Sequence, residues 1–326
     1  MERREFLKRA GMTGIAVIGS ALGAVWLRDP RSGAEYFRDW KTKKTKSLKS
    51  FRVSRMKGAV DMAVVRGKDP EKMMRAGLAE MGSIGSFVQK GDVVVIKPNV
   101  AFDRPPALGA TTNPEVLKAI GRLCQEAGAR KIIVADNPIN QPEGCFFKSG
   151  IQQAAEEVGV EVMLPKPSAF ALLKIDGEVL SIWPMFYQPF EHATKVIGVA
   201  PCKDHNLCSA SMTMKNWYGL LGGHRNQFHQ QIHDVIADFS HMMKPTLVVL
   251  DATRVLMQNG PTGGRLSDVS ETNTLVIGTD MVAVDTFGYT LFGRDPDKLE
   301  YLHKAEARGL GSTKWKEQNW REVVAS

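Results

Sequence analysis

The sequence predicts an α/β fold with a mostly parallel central sheet, helices on both faces and a small β-hairpin insertion. Two runs, VVVI at 93–96 and IIVA at 132–135, are continuously apolar and rich in β-branched residues, as strands buried on both faces are. Between and after them come segments whose apolar residues recur at helical spacing, so strand, helix and strand follow one another as in βαβ units. A chain of 326 residues is long enough to cover such a sheet from both sides.

The first strand lies within GDVVVIKPNV, residues 91–100, and ends in Lys97, Pro98 and Asn99. Asn113 and Pro114 then read as the N-cap and first helical position of PEVLKAIGRLCQEAG, which stops at a glycine. RKIIVADNP is the second strand, ending in Asp136 and Asn137; IQQAAEEVG is a helix and VEVML the third strand. From Pro165 to Gln188 the pattern changes, and two short alternating runs around Asp176 and Gly177 predict the hairpin. ATKVIGVAP returns to a buried strand, and SASMTMKNWYGLL and IHDVIADFSHMMK read as helices. PTLVVLDATRVLM holds a strand ending near Asp251, TNTLVIGTD one ending at Asp280, and MVAVDTFGYTLFG and DPDKLEYLHKAEARGLG add helices. Open, Rossmann-like sheets bind ligands beyond the carboxyl ends of their strands. Here Lys97, Asn99, Asp136, Asn137, Cys202 to His205, Asp251 and Asp280 all follow apolar runs closely, which makes one shared crevice the natural expectation.

The densest chemistry lies in PCKDHNLCSASMTMKNWYGLLGGHRNQFHQQIHD, which holds Lys203, His205, Lys215, His224, Arg225, His229 and His233. If NQFHQQIHDVIADF is helical, His229 and His233 share a face at a spacing that suits two imidazoles on one divalent metal, with His205 and His224 as further ligands. Converging Lys97, Lys203, Lys215 and Arg225 would make a cationic pocket for a carboxylate or phosphate. Asn99 and Asn216 would hydrogen-bond that ligand. His205 would move protons or bind metal, with Asp251 or Asp280 orienting a base or completing the metal shell. Lysines are more often solvated heads, and a helical histidine pair is more often an ordinary surface feature, so convergence is the decisive point.

Charge divides the chain. The whole sequence carries a formal charge of +8, but residues 1–50 hold 12 of the 43 Lys and Arg and 5 of the 35 Asp and Glu, leaving a nearly neutral body. With no aromatic-interleaved basic groove, nucleic-acid binding is not expected. Arg3, Arg4, Phe6, Leu7 and Lys8, followed by an uncharged run from Met12 to Leu27, resemble a twin-arginine export signal, so the export machinery is an expected partner. Ala21 and Gly23 offer a cleavage position, and the same run approaches the length of a membrane anchor; a cleaved periplasmic form and one anchored at the outer face of the cytoplasmic membrane both fit. The expected organisation is therefore a signal or anchor at 1–27, a basic linker at 28–57, an α/β domain at 58–315 and a tail at 316–326. The four cysteines, Cys124, Cys145, Cys202 and Cys208, form no disulfide framework, and their spacing predicts no iron-sulfur cluster or structural zinc.

VVIKPNV, TTNPEVLKAIGRLCQEAGA, PCKDHNLCSASMTMKNWYGLL, LDATRVLMQNGPTGG and IGTDMVAVDTFGYTLFG resemble successive blocks of the domain-of-unknown-function family 362. The resemblance runs from about Asp92 to Gly311, and its most specific piece is Lys203 and His205 followed by Ser211, Thr213, Lys215 and Asn216, with Ser211 where the family pattern favours threonine. Several members carry an added ferredoxin-like cluster domain, which implies redox partner proteins; this chain lacks those cysteines. The resemblance implies the fold and the pocket but no reaction. Two functions follow as expectations: an exported enzyme, redox-associated or metal-assisted, acting on a small anionic ligand, or a non-catalytic envelope protein that binds a metal or cofactor or assists assembly of a redox complex.

Overall fold

The computed structural model describes residues 44–326. The expected signal and most of the basic linker lie outside the described residues. In chain order the elements are β1 (Met62–Arg66), α1 (Pro70–Glu80), β2 (Val93–Lys97), α2 (Pro114–Glu126), β3 (Lys131–Ala135), α3 (Pro142–Lys148), α4 (Ile151–Glu157) and β4 (Glu161–Met163). The hairpin β5 (Phe170–Lys174) and β6 (Ile182–Phe186) follows, then β7 (Lys195–His205), β8 (Ser209–Ser211), α5 (Thr213–Asn216) and α6 (Ile232–Met242). The last part comprises β9 (Leu247–Leu256), β10 (Val269–Ser270), β11 (Thr274–Gly278), α7 (Met281–Thr290), α8 (Glu300–Ala307) and β12 (Trp320–Val324).

The main sheet runs β12-β1-β11-β9-β7-β2-β3-β4, with β8 paired to β7 and β10 to β9. Along that path only β11 opposes its neighbours: it is antiparallel to β1 and to β9, whereas β7, β2, β3, β4 and β9 run together. The α/β class, the mostly parallel sheet and the separate hairpin are as the sequence predicts. Alternate residues of β2 serve opposite faces. Val94 and Ile96 join a core with Met73 and Met74 of α1 and Leu117 and Ile120 of α2. Val93 and Val95 join the other, with Trp217, Phe239 of α6 and Phe287 of α7. Gly198 of β7 is needed where Trp217 crosses the sheet, because a Cβ there would lie 2.8 Å from the indole.

Several elements depart from expectation. Residues 316–326, expected as a tail, supply β12, a parallel neighbour of β1 from Met62 with Trp320 to Arg66 with Val324. β12 is a half-exposed edge strand with polar residues between its apolar ones, so it carries no buried-strand signal. The end of the expected linker lies on the body: Phe51 is buried, its amide donates to the Lys244 carbonyl, and its own carbonyl accepts from Thr246 Oγ1. The helix expected over SASMTMKNWYGLL is strand β8, the single turn α5 and a 3₁₀ turn at Trp217–Leu220. The helix expected over NQFHQQIHDVIADF is broken, a 3₁₀ segment at Arg225–Gln231 giving way to α6.

Candidate functional site

β7, β2 and β3 are adjacent and parallel, so their carboxyl ends bring Lys203 and His205, Lys97 and Asn99, and Asp136 and Asn137 to one edge of the sheet. β8 folds back on β7 and delivers the chain to α5, which carries Lys215 and Asn216 over that edge. Since α5 is only four residues long, its amides need help from outside, and Asp285 of α7 gives it. The Asp285 carboxylate accepts from Thr213 N at 2.8 Å, Thr213 Oγ1 at 2.5 Å and Met214 N at 2.9 Å. Burial nonetheless pushes its pKa up to about 7.

The floor is a buried polar network. Lys97 Nζ lies 2.6 Å from Asp136 Oδ1 and donates to the Pro98 carbonyl at 2.8 Å and to Asn216 Oδ1 at 2.9 Å. Asp136 Oδ2 accepts from Val100 N at 2.7 Å, and Asn99 Nδ2 donates to Asn216 Oδ1 at 3.2 Å. Burial lowers the Lys97 pKa, and the nearby Asp136 carboxylate opposes that shift. Lys203 Nζ donates to the Ala110 carbonyl at 2.5 Å and to Asn99 Oδ1 at 3.3 Å, 5.1 Å from the centre of the Phe102 ring. Burial, reinforced by the charge of Lys215, brings Lys203 down to about 7, so near neutrality it is poised between ammonium and amine.

Lys215 differs from both. Its Nζ stands 4.9 Å from the centre of the Tyr218 ring, and among the described residues it has neither a hydrogen bond nor an ion pair. His205 is held by Nδ1, which accepts from Leu207 N at 3.1 Å. Burial and the charges of Lys215 and Lys203 push its pKa down to about 2, so the ring is neutral and its proton sits on Nε2. In that tautomer His205 is a donor to the cavity rather than a base. Ser211, also at the cavity wall, leaves its hydroxyl free of protein partners among the described residues.

The cavity these residues enclose measures about 200 Å³ and is walled by Asn99, Phe102, Lys203, His205, Lys215 and Tyr218, among others. Arg225 borders it, but its guanidinium is committed: Nη1 donates to the Asn137 carbonyl at 2.9 Å and Nη2 to the Pro138 carbonyl at 2.7 Å. It therefore ties the β3 loop to the turn after α5 and leaves its charge, more than its donors, to a ligand. A second cleft of about 510 Å³, lined by Phe170, Pro184, Gly222 and His224, shares Asn137, Ile139, Arg225 and Asn226 with the first.

Of the remaining expected residues only His229 lines this cavity. Asp251 is inside β9, not at its end, and its carboxylate accepts from Asn113 N at 2.7 Å and Thr253 Oγ1 at 2.7 Å, which fixes the start of α2. Asp280 follows β11, the reversed strand, and so comes out at the opposite edge; there it caps α7 through Val282 N at 2.8 Å and accepts from Ser312 N at 2.9 Å. The three histidines proposed for a metal are separated. His229 stacks on Tyr218 with ring centres 5.8 Å apart, His224 lines the second cleft, and His233 packs on Tyr301 with its Nε2 3.9 Å from Glu300. Because the helix begins only at Ile232, His229 and His233 never share a helical face; among the described residues no three His, Cys, Asp or Glu are placed to hold a metal ion. The cysteines are free and buried. Asp285 and Tyr218 were not singled out by the sequence, although a lone carboxylate inside the apolar run MVAVDTFGYTLFG was a signal that it had a buried partner.

Comparison with known proteins adds three findings. A family model described as a domain of unknown function, DUF362, matches residues 94–290. A thylakoid-associated protein of Synechocystis sp. is 23% identical over 248 residues, which are 74% of this chain and 75% of that protein. Among solved structures, a Thermotoga maritima protein aligns with 57% of this chain at 15% identity and a TM-score of 0.33; the chain spans about half of it (51%), and so slight a likeness carries no weight.

Proposed function

The chain belongs to the DUF362 family, and from that premise we propose that the cavity between β2, β7 and α5 binds a small anionic ligand and transfers a proton on it. The observation that carries this reading is the isolation of Lys215. Two of the three lysines at this edge have their protein partners, Lys97 with Asp136 and Lys203 with Ala110 and Asn99; Lys215 faces the cavity with an aromatic ring alone. Lys215 is half-buried, and a cation partly withdrawn from water without a counter-charge is favoured when a ligand supplies one. In this reading Lys215 takes the negative charge, Nε2 of His205 and the Ser211 hydroxyl hydrogen-bond the ligand, and Lys203 accepts and returns the proton. Asn99 and Asn216 hold the lysines rather than the ligand. The metal-assisted variant has less support, because the histidines it needs stand apart.

Isothermal titration of the full chain with acetate and inorganic phosphate tests the reading. Lys215→Met should abolish binding while the protein still melts cooperatively. Equal affinity in the variant and the parent would overturn it.

A second reading concerns location. The relative is named for its association with thylakoids, which, with the export signal that residues 1–27 resemble, favours work at a membrane reached by the twin-arginine route. No helix among the described residues is long and apolar enough to cross a membrane, so attachment would fall to the leader or to a partner. A reporter fused to residues 1–50 should be exported, and transport unaffected by replacing Arg3 and Arg4 with lysine would remove that route.

A further inference from the structure

We infer that the ligand of this cavity is amphiphilic, with one anionic head held at Lys215 and His205 and an apolar body of a few carbons that passes Ile139 and Leu207 toward the second cleft. The inference rests on the anion reading above and narrows it to a chemical class, singly charged carboxylates bearing an alkyl or aryl group.

The free donors locate the head. Lys97 is neutralised by Asp136, the Nη donors of Arg225 are taken by backbone carbonyls, and Lys203 donates to Ala110 and Asn99. Lys215 is left as the one ammonium in the cavity without a polar partner among the described residues. One carboxylate takes Lys215, with the neutral His205 donating to the second oxygen; a second carboxylate at the far end of the body would lie against the apolar wall, away from these donors.

The walls define the body. Seven large hydrophobic side chains are exposed among the described residues, and two of them, Ile139 at 59% and Leu207 at 48%, line this single cavity. Scattered exposed hydrophobics are ordinary, but a pair lining a cavity already walled by Phe102, Tyr218 and Pro261 adds to an apolar wall above a charged floor. Ile139 also borders the second cleft, where Pro138, Phe170 and Pro184 extend the apolar surface. A hydrophilic anion would leave that surface uncovered; an alkyl or aryl chain covers it.

The test is a calorimetric series on the full chain with acetate, butyrate, hexanoate, octanoate and the dianion adipate, with inorganic phosphate as a control. Each methylene that reaches the wall should tighten binding about fourfold until the apolar surface is used up. Adipate should bind more weakly than hexanoate. The double variant Ile139→Asn, Leu207→Asn changes only exposed side chains, and it should flatten the dependence on chain length. Equal binding of acetate and hexanoate, or a slope the double variant does not alter, overturns the amphiphile and leaves the anion reading standing. Phosphate binding with no carboxylate binding does the same, and failure of every anion removes both.

Discussion

Lys97 and Asp136 form an ion pair 2.6 Å long that is sealed from solvent, each placed at the end of one of two neighbouring parallel strands. The pair locks the spacing of β2 and β3 where the candidate site begins. Lys97→Met or Asp136→Leu alone strands a charge in the interior and should cost about 3–5 kcal/mol. The double variant should recover a large part of that loss, as judged by chemical denaturation of all four proteins; equal, additive losses would show that the two groups are not coupled.

Gly219 leans directly over this pair. A Cβ at that position would stand 2.6 Å from Asp136 Oδ1 and 2.9 Å from Lys97 Nζ, and neither partner is free to retreat. Gly219→Ala should therefore destabilise by about 1–3 kcal/mol, and it should weaken anion binding by shifting the turn that follows Lys215. A neutral melting curve would show that the turn yields easily.

Asp285 touches no part of the cavity, yet it closes the amino end of the helix that carries Lys215 and Asn216. Asp285→Ala should lose about 1–3 kcal/mol, because it leaves the buried Thr213 and Met214 amides without an acceptor. The same change should reduce affinity for a small carboxylate at least tenfold although no contact with it is removed. Loss of stability with unchanged affinity would confine Asp285 to a scaffolding role.

Lys203 sets a pH dependence. Its pKa in the folded protein, about 7, lies below the ordinary 10.5, and an anion close by favours the protonated form. Affinity should fall as pH rises through 7, by at most about tenfold per unit, with proton uptake on binding near that pH. Between about 7 and 10.5 the unfolded chain binds this proton and the folded one does not, so stability should rise with pH across that range. Both slopes should be reduced in Lys203→Met, the remainder of the stability slope coming from Lys97 and Lys215, whose pKa values burial also lowers. His205, neutral down to about 2, should add nothing to the affinity slope between pH 4 and 8, but the unfolded chain protonates it below about 6.5, so it should make stability fall as pH drops through that value.

Much of this was legible in the residues. Buried strands such as 93–97 and 131–135 announce themselves because both faces are apolar, and Lys203, His205, Lys215, Lys97 and Asn99 meet because three parallel strands end together. Strand direction was not legible. TNTLVIGTD reads the same whichever way it pairs, so Asp280 was counted at an edge that β11 turns away from. Helix continuity failed for a related reason: the sequence around Arg225 keeps helical spacing, but the guanidinium's bonds to Asn137 and Pro138 hold that segment in a 3₁₀ path, and the shared face of His229 and His233 is lost. Of the two residues overlooked, Tyr218 meets Lys215 locally, three positions on in the turn that continues α5, whereas Asp285 supports that helix from α7, a relation that only tertiary packing creates.

β1 and β12 are parallel neighbours separated by some 250 positions of chain. The chain is synthesised from its amino end, so β1 stands with one whole rank of amides and carbonyls bare until Trp320–Val324 has emerged to cover it. The strand made first in this sheet is thus completed last, and throughout that interval it is the place where a neighbouring nascent polypeptide would most readily pair.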